Sequence, residues 1–131
     1  MKPVNQTTFT PPDGDCLSAC IASILELPLD KVPNYIAYDN WFEKFDDFVA
    51  EHGYRLFWYK ISEKYNEILG FTAKDVYGIL CGKSSSGDWD HCVVIKNGKV
   101  VHDPNPNSKG LLDHKDIMVF VKINPKSERI K

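Results

Sequence analysis

The chain has 131 residues, enough for one domain with a single hydrophobic core. An apolar fraction of 43% and a charged fraction of 26% are those of a globular protein, not of a disordered or membrane-embedded one. A net charge of −2, an isoelectric point near 6.1 and the lack of any Lys/Arg cluster give no electrostatic footprint for nucleic acid or an anionic membrane surface.

Met1-Lys2-Pro3-Val4-Asn5-Gln6 holds no apolar run of signal-peptide length, and no later stretch is long enough to span a bilayer. The expected location is cytoplasmic, and Cys16, Cys20, Cys81 and Cys92 are expected to be reduced. Residues 5–15 read as an extended segment and a turn, punctuated by Pro11-Pro12-Asp13-Gly14. A helix over 16–27 follows, with Leu17, Cys20, Ile21, Ile24 and Leu25 at helical spacing and Pro28 as its stop. Residues 29–33 connect it to a second helix over 40–51. There Trp41, Phe42, Phe45, Phe48 and Val49 form the apolar stripe and His52-Gly53 the end.

Residues 54–61 read as a strand, while 62–69 are ambiguous, with a short helix as one reading. Strand signals recur at 76–81, 91–96, 99–102 and 117–123, and Asn97-Gly98 between two apolar runs marks a tight hairpin. The 82–89 loop is small and polar and leads into His91; the tail, 124–131, reads as frayed. Helices first and an antiparallel sheet after them give an α+β class, with the cysteine-bearing helix packed on the sheet.

Cys16 opens the first helix, directly after Gly14-Asp15. Unpaired backbone N–H groups and the positive end of the helix dipole favour a thiolate there, so a lowered pKa and a nucleophilic role are expected. His91, at the start of a strand, is the base that such a thiol needs. A two-residue turn at Asn97-Gly98 sets Lys96 against Lys99 and His91 against position 104, so Asp103 falls beside His91 as its orienter. The competing role for Asp103 is to cap the turn before Pro104. Asn105 is the reserve orienter, and His102 the second candidate base. Gln6 is the candidate side-chain donor to an oxyanion, alongside the Cys16 N–H. Cys20, Cys81 and Cys92 read as core, with Cys92 facing away from His91 by strand alternation. His52 and His114 read as solvated.

Gln6, Pro12-Asp13-Gly14-Asp15-Cys16-Leu17-Ser18-Ala19-Cys20, His91-Cys92-Val93-Val94 and His102-Asp103-Pro104 together resemble the papain-like cysteine peptidase clan. Within it, the chain is most similar to the peptidase C39-like group of small bacterial and phage proteins. The resemblance runs from Gln6 to Pro104, though Gln6 stands ten residues before Cys16, further than is usual in that group. It implies a single papain-like domain over 1–131, a thioester intermediate on Cys16, a peptide, isopeptide or similar acyl bond as substrate, and no cofactor. Familiar members cut leader peptides and are fused to a membrane transporter, which this chain lacks, so that substrate is not carried over.

Three other functions fit parts of the pattern. Acyl transfer to an amine would need water excluded, for which the 82–88 loop could act as a lid. A binding module could keep the scaffold without the chemistry. A zinc site could draw on Cys16, Cys20, His91 and Cys92, although strand alternation turns the last two apart.

Overall fold

A computed structural model describes residues 1–61 and 76–123. The expected short helix at 62–69 and the frayed tail at 124–131 lie outside the described residues.

The first helix, α1, spans Cys16–Leu25. It ends two residues earlier than its apolar pattern suggests, because Glu26 turns left-handed at φ 58°. The Leu27 N–H then reaches back to the Ala22 carbonyl at 2.9 Å, which closes the helix before Pro28. A short 3-10 turn over Leu29–Lys31 occupies the expected connector. The second helix, α2, spans Trp41–Ala50, with Asn40 and Glu51 at its caps.

Five strands follow: β1 Tyr54–Lys60, β2 Tyr77–Lys83, β3 Asp90–Lys96, β4 Lys99–His102 and β5 Asp116–Lys122. They form one antiparallel sheet in the order β1-β5-β2-β3-β4. Each boundary lies within two residues of its expected place. The largest change is β2, which runs on through Gly82 and Lys83 to pair with His91 and Asp90.

Period-two alternation splits the sheet residues into two sets. Leu56, Ile79, Cys81, Cys92, Val94, Met118 and Phe120 share a core with Leu17, Ile21 and Ile24 of α1 and Phe45 and Val49 of α2. Leu80, Val93, Ile95, Ile117 and Val119 form a second buried cluster with Ile61, Val76 and Leu111. Fully burying each Ile, Val or Phe side chain stabilises by about 1.5–3 kcal/mol, so the first cluster fixes α1 firmly on the sheet. Contacts of α1 fall mainly on β3, which brings the helix start to the start of that strand.

The β3–β4 hairpin turns at Asn97 (φ 52°) and Gly98 (φ 82°), the two positive φ values that a tight hairpin turn needs. Lys96 pairs with Lys99 and Ile95 with Val100, as the turn requires; the register then shifts and Val94 pairs with His102. This bulge lies just before Asp103 and re-aims the chain there.

Candidate active site

Cys16 is the first residue of α1, after Asp15 at the cap position. The Asp15 carboxylate does not cap its own helix. It accepts from the Thr7 N–H at 3.0 Å, the Thr8 N–H at 3.0 Å and the Thr7 hydroxyl at 2.7 Å. The Asp15 N–H donates to the Thr8 carbonyl at 3.1 Å. These bonds close the ten-residue spacer on itself and bring Gln6 beside the helix start.

The Gln6 N–H donates to the Pro104 carbonyl at 2.9 Å, joining the N-terminal segment to the turn after β4. Its side chain is buried, with Nε2 donating to the Thr8 carbonyl at 2.9 Å. One Nε2 hydrogen is left over by this bond, while Oε1 is buried without a partner.

His91 lies opposite Gly82 at the start of β3 and is 4% exposed. Its Nε2–H donates to Asp103 Oδ1 at 2.6 Å. The Cys16 thiol lines the same cleft as the His91 and Cys92 side chains and lies near enough to interact with both. Nε2 is taken by Asp103, which leaves Nδ1 as the ring nitrogen available to a thiol. Asp103 Oδ1 also accepts from the Asn105 N–H at 2.9 Å, so one carboxylate both orients His91 and caps its turn.

The other candidates are engaged elsewhere. Asn105 Oδ1 accepts from the Asn107 N–H at 2.9 Å, a local turn bond. The His102 Nε2–H donates to the Val4 carbonyl at 2.8 Å and ties down the N-terminus. His52 is exposed and donates from Nδ1 to the Phe48 carbonyl at 3.1 Å. His114 is exposed too. Cys20 and Cys81 are buried, as expected.

Cys92 is buried, as expected, and alternation puts it on the sheet face opposite to Val93, yet it lines the same cleft as His91. One expectation is corrected: the 82–88 segment is only in part a loop. Gly82 and Lys83 belong to β2, and the Ser84 N–H closes the remaining loop on the Trp89 carbonyl at 2.9 Å. The Lys109 N–H donates to Ser85 Oγ at 3.1 Å, tying the loop to the 105–110 turn.

The electrostatics also depart from the helix-tip expectation. The Cys16 pKa is pushed well above the ordinary thiol range, first by the hydrogen bond with Cys92 and then by burial, with His91 offsetting only part. Burial likewise raises Cys20. The His91 pKa is raised to about 9: burial works against the imidazolium but is outweighed by Asp103 and Cys16. Burial also works against the Asp103 carboxylate. Hydrogen bonds from His91, the Asn105 N–H and Ser108 nevertheless hold its pKa below the usual value. A charged Cys16 would help to raise His91, yet Cys92 and burial keep that thiol protonated, so Asp103 is what holds the imidazolium at neutral pH. The resting pair is a neutral thiol beside an imidazolium. The two groups titrate as a unit, so the first proton to leave as pH rises belongs to the pair.

Cys16, His91 and Gln6 line one cleft of about 280 Å³, with Phe9, Pro11, Pro12, Gly14, Leu17, Ile36, Trp89, Asp90 and Cys92. Among the described residues, no three His, Cys, Asp or Glu side chains form a group able to hold a metal ion, and no helix is long and apolar enough to cross a membrane. Comparison with protein-family models, with curated proteins and with solved structures finds no match to this chain.

Proposed function

We propose that the protein is a papain-like cysteine hydrolase that cleaves a peptide, isopeptide or related acyl bond through Cys16, His91 and Asp103. One observation supports the reading: an imidazole bonded to a carboxylate shares the wall of a cleft with a helix-tip thiol. A base that is oriented on one nitrogen and faces a nucleophile on the other is the arrangement that acyl transfer needs.

Loss of one proton leaves the other shared between Cys16 Sγ and His91 Nδ1. With that proton on nitrogen, the thiolate attacks the substrate carbonyl carbon and forms a C–S bond, and the carbonyl electron pair moves to oxygen. The N–H groups at the start of α1, which have no acceptor within the helix, and the remaining Gln6 N–H are the donors for that oxyanion. Collapse breaks the C–N bond, and His91 gives its proton to the leaving amine. Neutral His91 then takes a proton from water as the oxygen adds to the thioester. The C–S bond breaks, and acid and thiol are released.

The test is a burst assay with N-acetylaminoacyl p-nitrophenyl esters, followed by intact-mass analysis. The expected result is one p-nitrophenolate released rapidly per chain, with the acyl mass on Cys16 and no burst from Cys16→Ala. Acyl groups spread over the four cysteines, or an unchanged burst from Cys16→Ala, would overturn the proposal.

A further inference from the structure

We infer, on the basis of the hydrolase reading, that the cleft selects a peptide whose acyl residue carries a bulky, uncharged, apolar side chain, and that Trp89 and Phe9 set this preference. The volume of about 280 Å³ is at the small end of ligand pockets, which hold about 300–1,000 Å³. It admits one or two residues, not a folded partner.

Apart from the reacting groups, the walls are mostly carbon. Phe9, Pro11 and Pro12 come from the turn before α1, Leu17 from α1, Ile36 from the segment before α2, and Trp89 from the residue pair before His91. Phe9 is 42% exposed, so it gains burial when a side chain covers it. No Lys or Arg lines the cleft, and Asp90, its one acidic residue, accepts from Lys115 Nζ at 2.8 Å. A charged side chain entering there would lose water and meet no free counter-charge, whereas an apolar one loses nothing polar.

The indole of Trp89 is held in place by its own loop. A Cβ at Gly87 would run into the ring, so glycine at this position leaves the indole the space it occupies. One methylene in such a pocket is worth about 10–200-fold in rate, so a benzyl side chain should outrun a hydrogen by at least about tenfold.

The experiment uses N-acetyl-phenylalanyl, -glycyl and -lysyl chloromethyl ketones, with rates normalised to their reaction with glutathione. The Cys16 thiolate displaces chloride and forms a thioether, which is mapped by mass, and iodoacetamide labelling checks the intrinsic reactivity of each variant. The phenylalanyl probe should modify Cys16 at least about tenfold faster than the other two, with the ratio falling toward parity in Trp89→Ala and in Phe9→Ala. Equal rates for the three probes, a lysyl probe that reacts fastest, or ratios that both substitutions leave unchanged overturn the specificity and leave the hydrolase reading standing. If no probe prefers Cys16 over Cys20, Cys81 and Cys92, the hydrolase reading falls and the specificity with it.

Discussion

Asp103 sets the charge on His91 as well as its direction, and the two effects can be separated. Asp103→Ala removes both, so the His91 pKa should fall from about 9 while the maximal acylation rate drops. Asp103→Asn removes the charge but keeps an acceptor oxygen, so it should lower the pKa similarly and retain more rate. Burst rates against pH in the two variants check this. A midpoint that stays near 9 in both would show that Asp103 does not hold the imidazolium. Gln6→Ala should lower the burst rate by about 10²–10³ with little change in substrate binding, because an oxyanion donor acts mainly in the transition state. A drop below about fivefold, well short of that loss, would leave backbone N–H groups as the oxyanion donors. The place of Cys16 at a helix start and the meeting of His91 with Asp103 were legible because a helix start and a tight hairpin are local signals. That Cys92 also lines the cleft was not legible, because strand alternation says nothing about what stands at the strand's end. The raised Cys16 pKa was invisible for the same reason: its main cause is Cys92, far away in sequence.

The element that assembles the site is the closed turn before α1. Asp15 gathers two backbone N–H groups and a hydroxyl from Thr7 and Thr8, and through them holds Gln6 and the cleft wall near Phe9. Asp15→Ala strands these part-buried donors and should cost about 1–3 kcal/mol of unfolding free energy, measured by urea denaturation. It should also slow labelling of Cys16 by the phenylalanyl probe, and Asp15→Asn should do less of both. Normal stability in Asp15→Ala would show that the turn holds itself. Gly14-Asp15 announces a turn into a helix, but nothing local says that Asp15 bonds backward to Thr7 and Thr8 rather than forward into α1. The bulge between Val94 and Ile95 was equally silent, since the Asn97-Gly98 signal fixes only the pairs next to the turn.

At the scale of the whole molecule, periodicity made the α+β class readable, while the strand order was not. Placing β5 between β1 and β2 depends on contacts between residues distant in sequence, such as Ile79 with Met118, which leave no local pattern. The buried site also links folding to pH. The His91 pKa is raised from 6.5 to about 9, so its contribution is complete below pH 6.5 and is lost as pH rises through about 9. That interval corresponds to roughly 3 kcal/mol. The raised thiols act with the same sign, because the unfolded chain releases their protons first. Urea unfolding should therefore show stability falling from pH 7 to pH 10, with a shallower fall in His91→Gln.

The most direct test of the Cys16–His91 pairing is the rate of Cys16 alkylation by iodoacetamide against pH, mapped by mass, in the parent protein and in His91→Gln. The parent should show a single rise with a midpoint near 9. In His91→Gln the rise should move to higher pH, toward the thiol held up by Cys92 and burial. Superimposed profiles would contradict the pairing on which the proposed chemistry rests.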